Sequence, residues 1–229
     1  MELNYRDVNN CLLRLPMPVV TALKGQPGLF LAGGLIRACI AGETINDVDL
    51  FVRDAGAAQT IAAVLQPDPK QRITTDNAVS LDGLPLKVQL IHRWTFTTPE
   101  DCIASFDFTI CSAAIWWNAN TECWASTCDP SFYSDLAAKR LVYRSPVRNE
   151  DAGGSMLRVL KYAKRGYGIP RASLAAVMAR AVRGLSTINE ADLANQIKDV
   201  LAEVDPPTDP RHEGISRSLL RDDGERVRD

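Results

Sequence analysis

Residues 29–53, LFLAGGLIRACIAGETINDVDLFVR, decide how the chain is read. Leu29 to Ala32 are a short apolar run, with the length and composition of a buried strand. Gly33 and Gly34 follow, and residues without a Cβ let the backbone turn tightly and let another molecule come close to it. Leu35 to Ala41 has helical composition with one charge, Arg37, and Gly42 is a helix stop. Ile45, Val48, Leu50 and Val52 then surround Asp47 and Asp49 in a strand-like run. Side chains alternate along a strand, so the two aspartates share a face, about 7 Å apart. Paired carboxylates on a mostly apolar strand repel each other and lose solvation. A divalent cation relieves both, and hard oxygen ligands suit Mg²⁺. A Gly-Gly turn opening a helix offers N–H groups and the positive end of the helix dipole to phosphate. Metal and phosphate sites side by side point to phosphoryl transfer on a nucleotide.

The remaining composition narrows the class. A chain of 229 residues suits one large domain or two small ones, with ample core. Its 46% hydrophobic and 24% charged residues are ordinary for a soluble globular protein, and a formal charge of −2 excludes a chain that coats nucleic acid with its whole surface. No apolar run reaches transmembrane length, and the N-terminus lacks the basic-then-apolar form of a signal peptide, so no membrane partner is expected. Cys11, Cys39, Cys102, Cys111, Cys123 and Cys128 form no Cys-x-x-Cys pair and read as reduced, mostly buried thiols of a cytoplasmic protein. With only His92 and His212 as histidines, a zinc site is not expected.

Outward from the central stretch, Val8 to Leu15 and Val19 to Leu23 read as helical pieces, and Ala55 to Leu65 as a helix ended by Pro67 and Pro69. Thr74 to Leu81 and Leu84 to Ile91 read as strands around Asp82-Gly83, with His92 and Arg93 at the second strand's end. Phe106 to Ile115 reads as another strand, with Phe106, Phe108 and Ile110 on one face and Asp107 on the other. An acid in so apolar a run needs a partner or a metal. Trp116, Trp117 and Trp124 bracket a hairpin at Asn118 to Glu122, where core packing competes with base stacking. Phe132 to Arg140 fits a helix and Leu141 to Tyr143 a short strand. Pro146 to Gly154 marks a boundary.

The helix beyond it, from Ser155 to Tyr167, places Met156, Leu160, Ala163 and Tyr167 on one face and Arg158, Lys161 and Arg165 on another. Ala152 to Asn189 holds seven Lys or Arg and no Asp or Glu, a one-sign stretch that implies an anionic partner, either a triphosphate or an RNA backbone. Residues 170 to 184 and 189 to 204 read as two further helices, and the polar, charge-balanced segment from Pro206 reads as disordered.

Gly33, Gly34, Arg37, Gly42, Asp47 and Asp49 follow in order and spacing the signature of the polymerase-beta-like nucleotidyltransferase superfamily. The chain resembles most the head and neck of class II CCA-adding enzymes and bacterial poly(A) polymerases, without their helical body. Ala38 stands where that family usually has Asp. Asp107, Phe108, Thr109 and Ile110 match a second head motif, with Ser105 and Phe106 in place of two arginines. Arg158, Leu160, Lys161 and Lys164 match the neck motif. The resemblance covers roughly residues 28 to 184.

That resemblance implies an α+β fold, a mixed-sheet nucleotidyltransferase head over residues 1–148, then a small helical neck over 149–205 and a tail over 206–229. It implies an enzyme that transfers a nucleotide monophosphate from a nucleoside triphosphate to an acceptor hydroxyl with two Mg²⁺ ions. Asp47, Asp49 and Asp107 are the expected metal and catalytic carboxylates. Gly33, Gly34, Arg37, Arg93, Arg158 and Lys161 are the expected nucleotide contacts. Many members place a third acid on a strand in the region where this chain has Gln89. The acceptor implied is an RNA 3′ end, tRNA or similar. A protein acceptor or partner, as in toxin-like or regulatory nucleotidylation, and a non-catalytic nucleotide-binding module remain open beside it.

Overall fold

The computed structural model describes residues 1–144, 152–183, 185 and 192–197. The expected boundary around Pro146, the acidic pair Glu150-Asp151 and the tail from Pro206 lie outside the described residues. Contacts divide the chain into a first unit, Met1–Phe106 with Ile110–Leu136, and a second, Asp107–Thr109 with the chain from Ala137 onward.

The first unit is a seven-stranded mixed sheet in the order β3-β4-β5-β2-β1-β6-β7. Its strands are β1 (Phe30–Ala32), β2 (Asp47–Phe51), β3 (Arg72–Thr74), β4 (Ala78–Leu81), β5 (Lys87–Ile91), β6 (Ala113–Asn118) and β7 (Cys123–Cys128). The β2–β5 pair is parallel and every other pair antiparallel. A parallel neighbour requires a crossover, here the helix α4 (Ala55–Leu65) and the β3–β4 hairpin. One sheet face, bearing Leu31, Val48, Leu50, Val79, Leu81, Val88, Leu90 and Ile115, is fully buried. Helices α1 (Tyr5–Arg14), α2 (Met17–Gly25), α3 (Gly34–Ala41) and α4 pack on that side. Each such side chain contributes about 1.5–3 kcal/mol on leaving water. The opposite face carries Phe30 and Phe51, stacked with ring centroids 5.4 Å apart, and is covered by Phe96, Phe106 and the Cys102 and Ile103 side chains of α5 (Pro99–Ala104).

Local chemistry starts and stops these elements. Asp54 caps α4 by accepting the Ala57 N–H at 2.7 Å. Thr98 caps α5, its Oγ1 accepting the Asp101 N–H at 3.2 Å and donating to Asp101 Oδ2 at 2.8 Å. Gly42 ends α3 in the left-handed conformation, with its N–H donating to Ala38 O.

The structure corrects several expectations. The run Thr74 to Leu81 is not one strand, because Thr75 Oγ1 accepts the Ala78 N–H at 3.2 Å and folds the chain back between β3 and β4. The run from Phe106 is not a strand either. It bends at Asp107, passes through a 3₁₀ turn at Thr109–Cys111, and β6 starts only at Ala113. The helix at Phe132 ends at Ala137 (α6, Phe132–Ala137), and Leu141 to Tyr143 contributes a single bridge, Phe108 to Tyr143. The tryptophans take packing positions: Trp116 lies against the Phe30–Phe51 core, and Trp117 and Trp124 meet edge to face beneath the Lys24 ammonium.

The second unit holds α7 (Ala152–Lys164) and α8 (Arg171–Ala181); of the expected third helix, 192–197 are described as helical. The buried face of α7 differs from the apolar one expected. Leu160 is 42% exposed and Ala163 exposed, whereas Ser155 and Tyr162 are buried and Arg158 is half-buried. The buried face carries Leu157, Val159 and Tyr162, with Ser155 and Arg158 on it bonded to Asp107. All six cysteines are free thiols. Among the described residues no helix is long and apolar enough to cross a membrane.

Candidate active site

Asp47 and Asp49 lie on one face of β2 and are both half-buried, while Val48 and Leu50 between and beyond them are completely buried on the other. The Gly-Gly turn stands against this pair. Gly33, φ +86° and ψ −136°, is the N-cap residue of α3 and brings no side chain to cap it. Its own N–H donates to Ala113 O at 3.1 Å. A Cβ on Gly33 would lie 3.8 Å from Asp49 Oδ2 and 3.9 Å from the Phe106 ring, so carboxylate, turn and aromatic ring converge there. Gly34 begins the helix with an ordinary φ, and a Cβ on it would meet no heavy atom within 4 Å. Nothing in the fold requires a glycine at 34, although glycine weakens a helix by roughly 0.5–1 kcal/mol relative to alanine. A bare backbone of this kind suits close approach by an outside molecule.

The sheet register adds two neighbours. Lys87 pairs with Asp47 and Gln89 with Asp49 across the parallel β2–β5 ladder, so their side chains share the aspartates' face. Gln89 Nε2 donates to Ser80 Oγ at 3.2 Å on the next strand. Lys87 is exposed. On the opposite side of the turn α3 is anchored to α1, Asn10 Nδ2 donating to Cys39 O at 3.2 Å. A thiol–thiol hydrogen bond links Cys11 and Cys39, raising the Cys11 pKa and lowering that of Cys39, with burial adding to the first and opposing the second.

The other expected residues take the following positions. Arg37 is 3% exposed, and its Nε donates to Glu43 Oε2 at 3.2 Å. It ties α3 to the loop that follows. Arg93 is exposed, its guanidinium 4.7 Å from the Trp94 ring centroid. Asp107, expected as a third carboxylate, is answered by neighbours of its own unit. It is 6% exposed, and its Oδ2 accepts from Arg158 Nη1 at 2.6 Å and from Ser155 Oγ at 2.9 Å, all within the second unit. Arg158 thus answers a protein carboxylate, while Lys161 stands half-buried on α7. Among the described residues no group of three or more His, Cys, Asp or Glu comes together. The Asp47–Asp49 pair by itself is a sufficient protein contribution for Mg²⁺, an ion commonly held by one or two carboxylates with water and substrate phosphates. Lys87 and Glu43 escape sequence reasoning because each is identified only by a partner brought near through folding.

The sequence profile of the Gabija anti-defense 2 family matches residues 6–139, more than half of the chain. The chain belongs to that family. A Gabija anti-defense 2 protein of Bacillus phage SPbetaL7 is 29% identical over 166 residues, which is 72% of this chain and 40% of the relative, so the chain spans well under half of that relative's length. As a Gabija anti-defense 2 family member it is also similar in fold to CCA-adding enzymes. The Thermotoga maritima enzyme complexed with tRNA superposes with a TM-score of 0.58 at 18% identity, covering 90% of this chain and 52% of that one. A CCA-adding enzyme in complex with CTP gives 0.57 at 19% identity, covering 86% and 50%. Identities this low carry the fold alone: this family member has the α+β nucleotidyltransferase fold.

Proposed function

We propose that the chain is a Mg²⁺-dependent nucleotidyltransferase. The reading rests on one observation above all: a glycine the fold does not need, Gly34, heads α3 beside the half-buried Asp47–Asp49 pair. In this reading the N–H groups at the start of α3 hold phosphate oxygens of a nucleoside triphosphate, and Gly33 keeps the turn clear. Asp47 and Asp49 would hold magnesium, which supplies Lewis-acid stabilisation of triphosphate charge and acidifies an acceptor hydroxyl. The acceptor oxygen bonds to the α-phosphorus, the bond from that phosphorus to the bridging oxygen breaks, pyrophosphate leaves and the hydroxyl proton passes to solvent. Lys87, beside Asp47, places a positive charge on the face where the triphosphate charge would collect. Arg93 and Lys161 remain candidates for phosphate contact. We take an RNA 3′ end as the acceptor and a protein hydroxyl as the second choice. We take this activity to serve counter-defence against Gabija, a reading supported by the family's description and the phage relative's name.

The test offers each labelled nucleoside triphosphate with Mg²⁺ to pooled cellular RNA and, separately, to pooled protein. Label is expected on RNA with the native chain and lost with Asp47→Asn/Asp49→Asn. Label migrating with protein selects the second acceptor. Magnesium-dependent nucleotide binding without transfer to either pool selects a non-catalytic nucleotide-binding module, and transfer unaffected by the double substitution overturns the site.

A further inference from the structure

We propose that the second unit carries a binding surface for the phosphodiester backbone of nucleic acid, built where two Lys-Arg pairs distant in sequence are joined. Lys139-Arg140 and Lys164-Arg165 are brought together by a short backbone zipper. The Gly168 N–H donates to Lys139 O at 2.8 Å, the Leu141 N–H donates to Gly168 O at 2.8 Å, and Arg140 and Gly168 form a parallel bridge. Lys139 holds φ +47°, a left-handed conformation that side-chain-bearing residues seldom adopt. Its Nζ lies 6.0 Å from the Tyr167 ring centroid. Lys139, Arg140 and Lys164 are exposed and Arg165 half-buried.

Two further observations identify the partner. Gly168 is exposed, its φ is not left-handed, and a Cβ there would meet no heavy atom within 4 Å, so the fold does not demand glycine. A bare backbone among four cationic residues leaves room for an incoming chain. Charge is also divided along the sequence: Met1 to Leu136 holds nine Lys or Arg against fifteen Asp or Glu, whereas Ala137 to Arg183 holds eleven against two. A chain of net charge −2 with one strongly basic stretch addresses a polyanion through that stretch. Protein–protein hot spots are enriched in Trp, Tyr and Arg, and Tyr167, the ring under Lys139, is only 4% exposed. The exposed Lys139 and Arg140 beside an open backbone suit phosphate oxygens, which a guanidinium fork can take in pairs. The contact reads charge spacing and not base identity.

This inference rests on the RNA-acceptor reading for its biological sense, but binding is measured without triphosphate or magnesium. Fluorescence anisotropy of the full chain with a labelled single-stranded RNA of about 20 nucleotides, and with the matching DNA, is followed from about 50 to 200 mM salt. Lys139→Asn/Arg140→Gln and Lys164→Gln/Arg165→Gln are each expected to weaken binding about tenfold and to lower the log–log salt slope by about 1.4, two single-strand phosphate contacts. Asn is chosen at 139 because it tolerates left-handed backbone. Should a paired variant fail to fold, Lys139→Asn and Lys164→Gln alone are each expected to lower the slope by about 0.7. Equal losses on RNA and DNA support a backbone surface. Unchanged binding in the fourfold variant overturns the proposal, as does displacement of RNA by polyglutamate at equal charge concentration. Transfer that depends on Asp47 and Asp49 beside unaltered RNA binding by the fourfold variant would sink this surface alone. A clean binding map without any transfer would sink only the enzyme.

Discussion

Replacing Gly34 with alanine should stabilise the protein while impairing it as a nucleotide binder. Gly34 is the first residue of α3, its φ is ordinary, and open space surrounds the position a methyl would take. Alanine removes the entropic penalty of glycine, about 0.5 kcal/mol at a first-turn position, which in a chain of this size raises the melting temperature by about 1–2 °C. The same methyl stands where a phosphate must approach the helix N–H groups. Losing one hydrogen bond to a charged partner costs about 1.5–3 kcal/mol, or roughly 10- to 100-fold in affinity. Gly33→Ala provides the contrast. Its φ of +86° with ψ −136° is a region that L residues avoid, so about 1–3 kcal/mol of strain should lower the melting temperature by several degrees. Differential scanning fluorimetry and calorimetric titration with ATP and CTP in Mg²⁺ measure both quantities. A Gly34→Ala protein that melts lower than the native chain, or that binds every triphosphate as well as the native chain does, refutes the reasoning.

Arg158→Ala leaves the Asp107 carboxylate buried with only Ser155 as the partner described above. Because the Arg158 side chain is 40% exposed, the cost should fall below that of a fully buried pair, at about 1–3 kcal/mol by denaturant titration, with Arg158→Ala/Asp107→Asn recovering part of it. Gln89→Glu places a third carboxylate in register with Asp49, and it should lower the melting temperature without metal while enlarging the stabilisation that Mg²⁺ gives in a thermal-shift titration. Burial, with a smaller contribution from Asp129, pushes the Cys128 thiol from its usual 9.0 up to about 11. The unfolded chain therefore ionises first, and the stability present below pH 9 should decline as pH rises from 9 through 11. Urea midpoints across that window should fall by an amount on the order of 2 kcal/mol in the native chain and less in Cys128→Ala.

The strand–turn–helix–strand of residues 29–53 is legible because its signals are local. A three-residue apolar strand, two glycines, a helix closed by Gly42 and alternation around Asp47 and Asp49 each act over a few positions. The shared face of the two aspartates follows from the same period. What is not legible depends on contacts across sequence distance. Lys87 and Gln89 join the aspartates' face only through a parallel register created by a crossover. Arg37 looks available as a charge along the sequence, yet Glu43 claims it once α3 is closed by its glycine. The alternation from Phe106 to Ile115 imitates a strand, but Asp107 bonds Ser155 and Arg158 of α7 and Phe108 packs on Tyr143 and Tyr162, contacts that no local period reveals.

The tripeptide Asp107–Thr109 has a consequence for how the protein can be divided. The backbone leaves the first unit for three residues, returns at Ile110 to lay down β6, β7 and nearly all of α6, and departs again after Leu136. A gene fragment starting at Ala137 would separate Arg158 from Asp107, and Tyr143 and Tyr162 would lack the Phe108 ring that each of them touches. Recombination among relatives that exchanged only the C-terminal segment would separate the same partners. Inheritance of the helical portion is therefore bound to three codons embedded in the other portion.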